Sequence, residues 1–127
     1  MRRRTAIGVL AASLAGAALP HAALASVPTP YDWTASPPFD DRQAFIDWMV
    51  KNRGEDPGYL GERYDRFLQL IAHHDVWDTR NKRAFLMVPR ERFVTAPNLT
   101  RAYQVHYLDI GFGVTITGPH SVARMTN

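Results

Sequence analysis

Ile110-Gly-Phe-Gly-Val-Thr-Ile-Thr-Gly-Pro-His-Ser-Val-Ala-Arg-Met125 reads as a short glycine-hinged β segment running into the start of a helix. Thr115, Ile116 and Thr117 alternate polar and apolar, Gly111 and Gly113 permit tight backbone turns, and Gly118-Pro119 sets a proline where a helix can begin. A hydroxyl therefore stands at a strand-to-helix junction. The first turn of a helix has N–H groups with no internal acceptor, so such a junction suits a carboxylate or another anion.

Upstream of this corner, residues 104–108 carry aromatic and β-branched side chains and are expected as a strand, with residues 112–117 as a second one. Further back the pattern is helical. Asp40 and Asp41 offer an N-cap for a helix through Asn52, with Phe45, Trp48 and Met49 on one face, an Asp47/Lys51 pair on another, and Gly54 just past its end. Asp56-Pro57 repeats the start signal, and Leu60, Tyr64, Phe67, Leu68 and Ile71 follow as one apolar stripe ending near His74. Asp78 can cap a third helix to about Met87, where Pro89 stops it because proline has no N–H for the helix ladder. Arg90 to Val94 is expected as a turn or short extended piece. By its own elements the chain is a helix-rich α+β fold: three helices, a short β segment and the start of a further helix.

The first residues distort the composition. Arg2-Arg3-Arg4 precedes an apolar, small-residue run from Thr5 to Leu19 and an A-x-A site at Ala23-Leu24-Ala25, the pattern of a bacterial signal peptide over residues 1–25. The apolar run falls short of the about 20 residues that span a membrane, so cleavage is expected and a stable membrane anchor is not. The arginines also permit twin-arginine export. The expected location is periplasmic or secreted. The leader holds three of the 15 Lys+Arg and none of the 12 Asp+Glu, leaving 12 of each and a formal net charge of zero. The clustered positive charge that nucleic acid demands is missing, so no nucleic-acid partner is expected. With no cysteine, zinc–thiolate sites and cysteine nucleophiles are excluded. Residues 26–38 hold four prolines and read as a linker or surface strap.

Two separated motifs agree on one family. Met87-Val88-Pro89-Arg90-Glu91-Arg92-Phe93-Val94 resembles the V-P-R-E-x-F-V motif of the protein-L-isoaspartate O-methyltransferases, and Ile110 to Met125 resembles their I-G-x-G/Q-x-T-I-S-x-P-H/Y-x-V-A-R-M stretch, in the same order and spacing, with Ala102-Tyr103 between them. The resemblance implies a Rossmann-like α/β methyltransferase that moves a methyl group from S-adenosylmethionine to the misplaced α-carboxyl of isoaspartyl residues in damaged proteins, a repair reaction. It also implies site residues: Thr117 against the isoaspartyl carboxylate, and Thr115, Ile116, Thr117 and His120 toward the cofactor, with no metal.

The departures matter as much. Thr117 replaces serine, keeping the hydroxyl but adding a methyl that restricts χ1. Gln104 stands where most members have aspartate and Asp109 where many have proline, and residues 40–75 look like an extension. The family's glycine-rich cofactor loop has no counterpart before Asn127. Residues 39–127 are thus expected to be the N-terminal part of a methyltransferase domain whose main cofactor-binding half is absent, a truncated portion inactive alone. The rival reading is an exported non-enzymatic helical interaction module.

Other residues receive plainer readings. His73-His74-Asp75 is expected as a solvated helix end rather than a metal site, since neighbours on a helix point about 100° apart. His106 is read as a strand residue. Arg90-Glu91-Arg92 is read as an intramolecular ion-pair turn, and Trp33, Trp48 and Trp77 as core or lid packing. Thr117 itself has a simpler role open to it, as a cap of the following helix.

Overall fold

A computed structural model describes Asp32 and residues 34–127. The expected leader, most of the proline-rich linker and Trp33 lie outside the described residues. The elements run α1 (Arg42–Arg53), α2 (Pro57–Ala72), α3 (Thr79–Met87), β1 (Leu108–Gly111), β2 (Val114–Ile116) and α4 (Pro119–Thr126), with two 3-10 turns, Arg90–Phe93 and Ala96–Arg101, between α3 and β1.

The three long helices begin where their aspartates dictate. Asp41 accepts from the Ala44 N–H at 2.6 Å, Asp56 from Gly58 at 2.8 Å, and Asp78 from Arg80 and Asn81 at 2.9 and 3.1 Å, each satisfying orphan donors of a first turn. The Asn81 N–H, foremost, holds the Asp78 carboxyl below its ordinary value, as a cap that favours the ionised form should. At the other end of α1, Gly54 takes φ 63° and returns its N–H to the Val50 carbonyl at 3.0 Å. A Cβ there meets nothing within 4 Å, so Gly54→Ala isolates the backbone term. A loss of about 1 kcal/mol, set by the left-handed conformation alone, is expected from urea unfolding.

Helices α1, α2 and α3 enclose the main core. Phe45 and Met49 meet Leu60, Tyr64 and Phe67 of α2 and Leu86 and Met87 of α3, while Ala35 and Phe39 close it from the strap before α1. The Tyr64 hydroxyl donates to the Phe39 carbonyl at 2.6 Å, fixing that strap. Two details of the expected helix faces are corrected. Leu68 is 47% exposed, and Leu70 is buried instead, because α2 has a second apolar face turned to Val76 and Ala123 of the α4 side. Asp47 accepts from Gln43 Nε2 at 2.8 Å, one turn back, rather than pairing with Lys51.

A charged network crosses the second half of the core. Arg63 is fully buried, with Nε donating to the Tyr103 hydroxyl (2.7 Å), Nη1 to the Leu86 carbonyl (3.0 Å), and Nη2 paired with Glu91 (2.9 Å) and Glu55 (2.8 Å). Burial alone would disfavour the charge, but Tyr103, Glu91 and Glu55 outweigh it and hold the guanidinium above its ordinary value. Tyr103 also donates to Glu91 and accepts from the Arg90 N–H at 3.1 Å. Burial, with Glu91 adding to it, pushes the Tyr103 phenol well up. A folded-state value above the unfolded one of about 10 means that the native chain keeps a proton the unfolded chain releases. Stability should therefore hold below about pH 10 and fall as pH rises beyond it, with a shallower alkaline limb in Tyr103→Phe, as read by chemical denaturation across pH 8–11.

The same network explains where the strand expected over residues 104–108 goes wrong. Arg90 Nε takes the Ala102 carbonyl at 2.6 Å and Arg66 Nε that of Tyr103 at 2.5 Å. The chain is thus held in a turn on entering this segment, where the Gln104 N–H donates to the Arg101 carbonyl at 2.9 Å, and pairing starts only at Leu108. His106, accordingly, is an exposed turn residue and not a strand residue. β1 and β2 form an antiparallel hairpin with Leu108 opposite Ile116, Asp109 opposite Thr115 and Gly111 opposite Val114. The expected second strand is shorter than residues 112–117, because Phe112 and Gly113, with φ 56° and 73°, are the two-residue turn itself.

Candidate functional site

The corner between β2 and α4 is assembled from backbone first. Gly118 is the N-cap of α4 and makes no side-chain cap bond, so the simpler role for Thr117 as the helix cap does not hold. Pro119 has no N–H, which leaves the amides of His120 and Ser121 as the first-turn donors without helical acceptors, while Val122 donates to the Gly118 carbonyl at 3.2 Å. A Cβ on Gly118 would lie 2.6 Å from the Val105 carbonyl oxygen and 3.0 Å from the His120 ring. Glycine is required there because the 105 backbone and the imidazole close on it from two sides.

Around this corner the four expected site residues take different places. Thr117 is half-buried one residue before the cap. His120 is half-buried, with Nε2 at 3.2 Å from the Ser121 hydroxyl and a buried Nδ1 that has no hydrogen-bond partner among the described residues. Ile116, half-buried, leans into an apolar cleft and does not share the hydroxyl's surroundings, and Thr115 is exposed on the outer face of the hairpin opposite Asp109. The structure thus brings Thr117 and His120 to one corner, with Ile116 behind and Thr115 turned outward.

The cleft adjoins this corner. It encloses about 310 Å³ between α3 and α4, walled by Phe85, Val88, Phe93, Ile116, Pro119 and Val122, with Arg90 at its edge. Arg90 is buried, which lowers its basicity, and its Nη2 has no partner among the described residues. The Thr117 hydroxyl and the first-turn amides of α4 stand beside the cleft residues Ile116 and Pro119 and are donors that can hold a carboxylate.

Several plainer sequence readings change here. Asp75 is not solvated: it is 2% exposed and forms an ion pair with Arg124, and the Asn127 side chain reaches its carbonyl at 2.7 Å, so α4 is fastened to the end of α2. Glu91 pairs with Arg63 from α2, not with the arginines beside it in its own turn. Trp48 packs against the core as expected, whereas Trp77 is 61% exposed. Arg63, the centre of the buried network, belongs to neither motif. Its signal was present, since it lies three residues after Leu60 and four before Phe67, a charge on the apolar stripe. Among the described residues no group of three or more His, Asp or Glu side chains could hold a metal ion, and no helix is long and apolar enough to cross a membrane.

Comparison with known proteins bears on the same region. The family model described as Protein-L-isoaspartate(D-aspartate) O-methyltransferase matches residues 63–127, which include Arg63, Glu91 and Tyr103 of the network, the hairpin, the corner and α4. Protein-L-isoaspartate O-methyltransferases of Yersinia pestis (strain Pestoides F) and of Yersinia pseudotuberculosis serotype O:3 (strain YPIII) are each 39% identical over 67 residues, which is 53% of this chain and 32% of the relative. The chain therefore spans about a third of the length of the curated relatives it matches. Because the match begins at Arg63, inside α2, the extension expected over residues 40–75 is narrower: α1 and the first turns of α2 lie outside the matched region. With both motifs inside a match that covers just over half of its residues, the chain belongs to the protein-L-isoaspartate(D-aspartate) O-methyltransferase family.

Proposed function

We propose that the chain carries the substrate-carboxylate corner of an S-adenosylmethionine-dependent protein carboxyl methyltransferase acting on isoaspartyl residues of damaged proteins. The observation that carries this reading is the corner at Thr117, Gly118 and His120, within the region that matches the family. An isoaspartyl residue presents a free α-carboxylate as a pendant group. The Thr117 hydroxyl and the first-turn amides of α4 are donors suited to one of its oxygens, and the apolar walls beside Pro119 keep water from competing. A carboxylate is already a nucleophile, so what the chain must supply is position and desolvation rather than a proton or a covalent partner.

S-adenosylmethionine, when bound, supplies the electrophilic methyl group. The residues present fit one edge of it. His120 has a buried Nδ1 in want of a partner, and Ile116 and Thr117 precede it at that corner, whereas Thr115 is turned outward. The open apolar cleft between α3 and α4 supports reading residues 39–127 as the N-terminal part of a larger α/β domain, since further elements of such a domain would cover it. It counts against the rival reading of a self-contained exported module. Export to the periplasm or beyond is part of the proposal and rests on the leader pattern of residues 1–25; fractionation of tagged cells that found the uncleaved chain in the cytoplasm would refute it.

The functional test is a titration of the purified chain with a labelled isoaspartyl peptide and its normal aspartyl counterpart. The isoaspartyl peptide is expected to bind more tightly, and Thr117→Val to weaken it about tenfold, the cost of one hydrogen bond to a charged group. Equal binding of the two peptides would refute the reading.

A further inference from the structure

We propose that Tyr107 is a specificity-determining residue that selects peptides with an apolar side chain next to the isoaspartyl residue; this rests on the reading of Thr117 as the carboxylate contact. The hairpin register provides the placement. Leu108 opposite Ile116 is the last pair of the antiparallel ladder, so Tyr107 and Thr117 are the next residue of each segment at that end of the hairpin. Leu108 is turned into the core, and Tyr107, the residue before it, is turned out to solvent as Asp109 is on its other side. Neighbouring strands lie about 5 Å apart, so residues that follow the last pair at one end of a hairpin are within reach of one ligand.

A second, independent contact ties this segment to the corner. The Val105 carbonyl closes on Gly118, so the backbone from Val105 to Tyr107 runs along the rim where Thr117 and His120 stand. That rim is apolar and open, with Val105 45% and Tyr107 62% exposed. A residue adds about 3.3–3.6 Å to an extended chain, so with the pendant carboxylate at Thr117 the side chain of a flanking residue falls on the Tyr107 ring. A tyrosine suits this work, offering a broad, stiff apolar surface that loses little rotamer freedom when it is covered. Its polar neighbours on the same face, Asp109 and Thr115, give an acidic flanking side chain no equivalent partner.

The test uses four labelled peptides, isoaspartyl and aspartyl forms carrying either leucine or glycine beside the reacting residue, titrated against the chain, Tyr107→Ser and Thr117→Val by fluorescence anisotropy. The native chain is expected to prefer the isoaspartyl-leucine peptide over isoaspartyl-glycine about tenfold. Tyr107→Ser should narrow that ratio to about twofold while leaving the glycine peptide unchanged, and Thr117→Val should weaken both isoaspartyl peptides alike. An unchanged leucine-to-glycine ratio in Tyr107→Ser, or an equal loss on both peptides, overturns the role of Tyr107 and leaves the carboxylate reading standing. Failure of either isoaspartyl peptide to outbind its aspartyl form overturns that reading itself, and the selectivity with it.

Discussion

Replacing Arg63 by alanine is expected to destabilise the chain by about 3–5 kcal/mol in urea-induced unfolding, more than any other single charge change. The reason is what it leaves behind. Arg63 supplies Glu91 and Glu55 with their common counter-charge and the Tyr103 hydroxyl and Leu86 carbonyl with donors, all inside the fold. Without it two carboxylates with only 8% and 12% of their side-chain surface exposed face each other with fewer partners. The cost is that of stranded charge, not the net worth of the pair, so two further variants separate the terms. Arg63→Met with Glu91→Leu, which removes charge from both sides, should recover much of the loss, whereas Glu91→Ala alone should not. A loss below about 1 kcal/mol for Arg63→Ala would place this network with exposed ion pairs and overturn its structural role.

Phe67→Ala is expected to cost a similar amount, about 3–5 kcal/mol, through a different mechanism. The Phe67 ring is 1% exposed and sits among three others, with centroids 6.3 Å from Phe39, 5.8 Å from Tyr64 and 6.4 Å from Phe85. Truncation removes the transfer free energy of the ring and opens a cavity that rings held on three separate segments, the strap, α2 and α3, cannot easily refill. Phe67→Leu should recover more than half of the loss by filling much of that space. Equal losses for leucine and alanine would mean that ring geometry, not volume, is what the core reads. Because Phe67 and Arg63 are one turn apart on α2, the double variant is expected to deviate from additivity.

The two substitutions also bear on the site. Phe85 borders both the Phe67 cluster and the apolar cleft, and Tyr103 links the Arg63 network to that cleft's edge. A core loosened on this side lets the walls beside Ile116 and Pro119 shift, so isoaspartyl-peptide binding should weaken in Phe67→Ala even where the fold is retained. Gly54→Ala, on the far side of α1, is expected to lower stability without that effect.

What the residues alone determined was local. Asp41, Asp56 and Asp78 start helices because a carboxylate one residue before a helix finds orphan N–H groups within its own reach, and Gly54 and Pro89 end them for equally local backbone reasons. The glycine-hinged turn and the helix opening at Gly118-Pro119 were legible on the same grounds, and the two motifs carried the family. Tertiary structure decided where the chain's charges and backbone acceptors go. The partner of Asp75 is 49 residues away at Arg124, and those of Arg63 lie at Glu91 and Tyr103, so no spacing rule could pair them. Two other arginines, Arg90 and Arg66, hold the carbonyls of Ala102 and Tyr103, so the segment enters the expected strand from a turn and makes a looped approach to the corner. Strand propensity is a weak preference per residue, and a buried cation that must find acceptors outweighs it. The corner at Thr117 was therefore readable as a strand-to-helix junction from sequence, while its walls, the Val105 carbonyl, the turned-in His120 ring and the cleft behind Ile116, exist only because distant segments meet there.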